Sequence, residues 1–109
     1  MLVTFKSKAA ADVLMYEEHA KRILDLLHKD VKRGIITAGE IPQAIARVEQ
    51  EIDDIRRRQE EERARRAEAG EPEEEHEVSE GVGFATRAFP LLEMLRMAEK
   101  KGKDVMWGV

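Results

Sequence analysis

Lys100–Val109, KKGKDVMWGV, is the stretch on which the fold turns. Its first part suits the end of a helix, with Lys100 and Lys101 at the negative end of the helix dipole and Gly102 free to take a left-handed stop. Its second part alternates, placing Val105, Trp107 and Val109 on one face as in a strand. The chain holds one tryptophan in 109 residues, three positions from its end, where chains fray unless tied down. Met1–Ser7, MLVTFKS, offers the tie, because Met1, Val3 and Phe5 alternate in the same way. A lone strand leaves its donors and acceptors unpaired, so the two terminal strands are expected to pair, with Trp107 beside Phe5. Val3, Phe5, Val105 and Trp107 then close the domain, and truncating a buried aromatic of this kind costs about 3–5 kcal/mol. Three helical passes between the strands favour a parallel pair if each connection reverses the chain. One helix lying across the ribbon changes that count, so strand direction stays open.

Between the ends the pattern becomes helical. Ser7 precedes KAAADVLMYEEHAKRILDLLHKDVKRG, in which Val13, Tyr16, Ala20, Ile23, Leu24, Leu27 and Val31 recur at three- and four-residue steps. The spacing predicts one long helix, capped by Ser7, finished by Lys32 and Arg33, and stopped at Gly34. Thr37 and Glu40 then have the spacing of a capping box, and Ile36 and Ile41 that of a hydrophobic staple. Pro42 offers an alternative, a turn over 37–40 with the helix starting near the proline. Either way Ile41, Ile45, Val48, Ile52 and Ile55 form a narrow seam. A third helix follows Pro90 after a short turn, its stripe formed by Phe84, Ala88, Leu91, Leu95 and Ala98 and widened by Leu92 and Met94. Met15, Met94 and Met97 are expected as core fillers, and Tyr16 as straddling core and solvent.

From Arg56 to Glu77 there is no large apolar residue. RRRQEEERARRAEAG keeps helix formers and the i,i+4 pairs Glu61–Arg65 and Glu62–Arg66, each stabilising by roughly 0.2–0.5 kcal/mol. It reads as a solvated helical arm fraying toward Gly70. GEPEEEHEVSEG reads as an acidic linker. The expected architecture is therefore α+β in the order β-α-α-α-β, three helices packed on a two-stranded ribbon made by the N- and C-terminal strands. Residues 1–109 form one domain, with 56–80 as a charged excursion within it.

MLVTFKSKAAADVLM, GIITAGEIPQAIARVEQ and FATRAFPLLEMLRMAEKKGKDVMWG together cover most of the chain. They resemble the bacterial family known as domain of unknown function 1840, the runs TRAFPLLE and GKDVMW being the most specific. The resemblance breaks at the charged stretch 56–77. It implies a small stand-alone bacterial protein and carries no activity, ligand or catalytic residue.

Chemistry finds little purchase. With no cysteine, disulfides, thiolate catalysis and cysteine-held zinc are excluded. The serines are Ser7 and Ser79, neither in a nucleophile elbow, and the GVG at 81–83 has no lysine at phosphate-loop spacing. His28 follows Asp25 by three positions, a spacing metal sites in bundles use, but no second such pair is expected on another helix. His19 lies half a rotation away and His76 sits in the acidic linker, so all three are expected as solvated residues. No cofactor or metal is expected, and no recognisable catalytic constellation, an enzyme of other chemistry standing only as an alternative. The arginines Arg56, Arg57, Arg58, Arg63, Arg65 and Arg66 offer a polar contact surface. Interleaved glutamates and a net charge of −4 argue against nucleic acid as the partner. Glu17 and Glu18 interrupt any signal core, and no run reaches the roughly 20 apolar residues that span a bilayer. A cytoplasmic interaction or structural module is expected, pairing an open ribbon edge with a second copy or a protein partner.

Overall fold

The computed structural model describes residues 1–70 and 75–109, and only the backbone course of 75–82. The elements are β1 (Leu2–Ser7), β2 (Ala10–Tyr16), α1 (Glu17–Leu26), β3 (Gly34–Ile36), α2 (Ile41–Ala69), α3 (Glu75–Lys101) and β4 (Val105–Trp107). The α+β class and the three helices stand, and the terminal strands do pair. The sheet is wider than a ribbon, with four strands in the order β2-β1-β4-β3. Every neighbouring pair is antiparallel, including β1 with β4, so a parallel pairing of the ends is corrected.

The widening comes from the segment expected as one long helix. Residues 10–16 instead fold back on β1 as a hairpin, Leu2 opposite Tyr16, Val3 opposite Met15 and Phe5 opposite Val13. Ser7 is no helix cap, since its hydroxyl accepts the N–H of Ala9 at 3.2 Å inside the turn. Lys101 of α3 reaches the same turn and donates to the Ala9 carbonyl at 3.1 Å. The register shifts between Phe5 and Ser7, so Lys6 faces a bulge at Ala11–Asp12. Only ten residues remain for α1, with Ala20, Ile23 and Leu24 buried. Its C-terminus is a Schellman motif: the His28 N–H bonds the Asp25 carbonyl at 3.2 Å and the Lys29 N–H bonds the Leu24 carbonyl at 3.0 Å. His28 occupies the left-handed position, φ 58°, where glycine is usual.

Gly34, expected as a helix stop, is the first residue of β3 and lies opposite Trp107. A side chain there would meet the indole, with Cε2 3.0 Å and Cη2 3.1 Å from an added Cβ. The Trp107 Nε1–H donates to the Asp30 carbonyl at 2.7 Å, and its ring lies 5.6 Å from that of Phe5. Trp107, Phe5 and Val105 have no exposed surface, and Val3 packs half-buried against the same core. The closure expected from the two ends is therefore real. Gly34 and the loop before it complete the cage.

At the next junction the turn over 37–40 is what forms. The Glu40 carboxylate accepts the Thr37 N–H at 3.1 Å and its hydroxyl at 3.0 Å. Helix α2 then starts at Ile41 with Pro42 in its first turn. Asp104, just before β4, accepts the Ala38 N–H at 2.7 Å and pins this turn to the far end of the chain. Ile41, Ile45 and Val48 are buried and Ile52 and Ile55 partly so. The helix runs on to Ala69 and ends at Gly70 in the left-handed conformation, so residues 56–69 are helical.

Helix α3 starts well before Pro90, which lies inside it. This corrects the turn expected there. Thr86, Phe89 and Pro90 are all exposed, so the carbonyl that the proline leaves unbonded faces water rather than core. Phe84, Ala88, Leu91, Leu92, Met94, Leu95 and Ala98 are buried as their spacing requires. Met15 and Met94 fill the core, while Met97 stays 38 % exposed. The linker expected over 70–80 includes helical backbone from Glu75, and Pro72 lies outside the described residues.

Candidate functional site

Strand geometry sends alternate side chains to opposite faces. In this sheet Phe5, Met15, Ile36, Val105 and Trp107 point to the helices and are buried. Their neighbours point away, and no described element covers them. A half-solvated antiparallel sheet ordinarily carries polar residues on the open side. Here that side carries Leu2, Leu14, Tyr16, Ile35 and Met106, which are 58, 59, 60, 38 and 36 % exposed. Thr4, Lys6 and Asp12 complete it. Register places these residues in rows, with Leu2 beside Tyr16 and Thr4 beside Leu14. Lys6, Met106 and Ile35 form a third row across β1, β4 and β3, with Asp12 beyond Lys6 at the bulge. Tyr16 thus meets solvent from a strand, not from a helix.

The surface expected from the arginines is placed differently. Arg56, Arg57, Arg58, Arg63 and Arg65 are exposed on α2 and Arg66 is half-buried. Part of their charge is matched within the helix. Arg57 pairs with Asp54, Arg58 donates to the Asp54 carbonyl at 3.3 Å, and Arg66 pairs with Glu62 at 3.0 Å. They lie along the helix beyond the sheet, remote from Val3, Phe5, Val105 and Trp107, and the two candidate sets are not brought together.

His19 lies by Tyr16, ring centroids 6.1 Å apart. His28 closes α1, and Asp25, three residues before it, pairs with Lys21 at 2.9 Å. The side chains of His76 and Ser79 lie outside the described residues. Among the described residues no group of three or more His, Asp or Glu is placed to hold a metal ion, and no helix is long and apolar enough to cross a membrane.

Clefts border the fold among the described residues, one of about 350 Å³ lying between Met1, Tyr16, Glu17, Glu18 and Lys21, and two more bear on the sites above. One, of about 460 Å³, opens beside the start of β1 between Leu2, Thr4, Lys6, Lys32 and Gly108. Gly108 has φ 73°, and any side chain there would strike the Lys32 carbonyl. The other, of about 240 Å³, lies between His28, Lys29, Glu40, Gln43 and Arg47. There the Lys29 ammonium meets the Glu40 carboxylate at 2.8 Å. That bond, with those from Thr37, holds the Glu40 carboxyl at about 2, below its ordinary 4.5. A carboxylate so held is a poor proton acceptor near neutral pH, and the pair reads as a structural clasp.

The residues that sequence periodicity missed are thus Leu2, Leu14, Tyr16, Ile35 and Met106. The run DVLMY, with β-branched Val13 and aromatic Tyr16, held only a weak signal for a strand. No curated protein and no solved structure is matched by this chain. The model of the family described as Domain of unknown function (DUF1840) matches residues 1–107, nearly the whole length, and the chain belongs to that family.

Proposed function

We propose that this chain is a protein-interaction module of the bacterial cytoplasm that docks its partner on the uncovered face of the sheet. One observation carries the reading: the outward positions of a half-solvated sheet are filled by Leu2, Leu14, Tyr16, Ile35 and Met106. Of these, Leu2, Leu14 and Tyr16 stand together and expose roughly 350 Å², within the range for the largest patch on a monomer. Such a patch, bordered by Thr4, Lys6 and Asp12 with Met106 and Ile35 beyond them, favours docking over catalysis. The pairing of the arm arginines within their own helix supports a protein partner over a nucleic acid.

A photo-crosslinking residue placed at Leu14 or Ile35 tests this in living cells, with Gln50 and Glu93 on the helices as controls. The expected result is a discrete adduct from the sheet positions and none from the controls. Equal labelling at all four positions, or none at Leu14 and Ile35, refutes the docking face.

A further inference from the structure

We propose that the occupant of this face is a second copy of the chain, packed sheet on sheet about a two-fold axis that runs along the strands between β1 and β2. This deepens the interaction reading and rests on it. The case is one of self-complementarity. On the β1–β2 half of the open face register pairs two outward rows, Leu2 beside Tyr16 and Thr4 beside Leu14, and Lys6 faces the bulge that carries Asp12 as a third. Rotation about that axis keeps each row at its own level and exchanges the two strands. Leu2 of one copy then lies over Tyr16 of the other, Thr4 over Leu14, and Lys6 over Asp12. Each row is matched to itself, an aliphatic chain on a ring, a methyl on an isobutyl group, an ammonium on a carboxylate. The two sheets meet in the aligned class, their strands within about 30° of one another.

A two-fold contact needs one patch complementary to itself, and this patch has that property row by row. A uniformly acidic partner would leave Asp12 opposed, and a uniformly basic one would leave Lys6 opposed. An area at the low end of the interface range goes with weak, reversible association. Leu2, Leu14 and Tyr16 with Thr4, Lys6, Ala11 and Asp12 offer roughly 600 Å² per copy, about 1,200 Å² in all, the lower limit for a specific interface. The dimer is accordingly one of micromolar affinity, with Met106 and Ile35 at its rim.

Sedimentation velocity of the full chain from about 5 to 500 µM brackets that range. Concentration-dependent dimerisation is expected, abolished by Leu14→Lys and weakened at least about tenfold by the milder, strand-compatible Leu14→Thr. Lys6→Asp and Asp12→Lys each weaken it about tenfold, and the two together restore it, because the swap re-forms the pair across the axis. Trp107 fluorescence confirms that each variant is folded, since all the changed side chains point away from the core. A monomer throughout the range, a dimer indifferent to Leu14→Thr, or a double swap that recovers nothing overturns the proposal. In the first case a position-specific adduct at Leu14 with a different protein leaves the docking face standing and removes only the second copy.

Discussion

Replacing Gly34 by alanine tests the Trp107 cage most sharply. The position has no special backbone conformation: its φ is not among the positive values, which belong to Gly70, Gly102 and Gly108. Alanine would by itself favour the fold there, by about 0.4–1 kcal/mol, through a less flexible unfolded chain. The opposing term is steric. The new Cβ would press on the indole at Cζ2, Cε2 and Cη2, and these atoms belong to a rigid ring that has no exposed surface. Phe5 stands on its far side, so the ring has nowhere to yield. Overpacking of a tight core costs about 1–3 kcal/mol. Displacing the ring also strains the 2.7 Å bond to the Asp30 carbonyl, and a buried donor left unpaired costs about 1–3 kcal/mol. Net destabilisation of about 2–4 kcal/mol follows, or roughly 10 °C in Tm for a domain of this size. Urea unfolding followed by circular dichroism measures it. Trp107→Phe in the Gly34→Ala background removes the clashing six-membered ring, so the two changes should be less than additive by at least about 1 kcal/mol. A neutral or stabilising Gly34→Ala, or strict additivity, would refute the cage.

Other consequences are smaller. His28→Gly relieves a left-handed residue in the Schellman motif, and should stabilise by about 0.5–1 kcal/mol after the added flexibility of the unfolded chain is counted; a lower urea midpoint would contradict this. Asp104→Ala frees the Ala38 N–H and should lower stability by about 0.5–1.5 kcal/mol, with faster hydrogen exchange confined to residues 37–40. Glu40 titrates lower folded, at about 2, than its ordinary 4.5. Its contribution is therefore complete above about pH 4.5 and is lost as pH falls toward 2. Glu40→Gln should flatten the fall of the urea midpoint over that window, and an unchanged acid limb would show that the clasp with Lys29 does not form in solution.

The ends of the chain were legible because their patterns obey the rule that a strand alternates and a helix stripes. Val105 and Trp107, Phe5, and the Phe84–Ala98 stripe all went where spacing sent them. The hairpin was not legible, and the reason is physical. In Ala10–Tyr16 the inward Val13 and Met15 alternate with Leu14 and Tyr16, which are equally apolar, so period two vanishes and the three-and-four steps of Val13, Tyr16 and Ala20 imitate a helix. The side chains that hid the strand are those of the proposed docking face. Pro90 misled for a different reason: a proline on the wet side of a helix leaves its missing bond to water. The Gly34 cage depends on a contact between residues about 70 positions apart, and no local pattern reports it.

The position of β4 between β1 and β3 also governs how the molecule can assemble. β3 has no partner other than β4 in the sheet, so Gly34–Ile36 must wait unpaired until Val105–Trp107 is available. Insertion of β4 is therefore what joins β3 to the hairpin, and loss of that one strand would open both flanks of the gap it leaves.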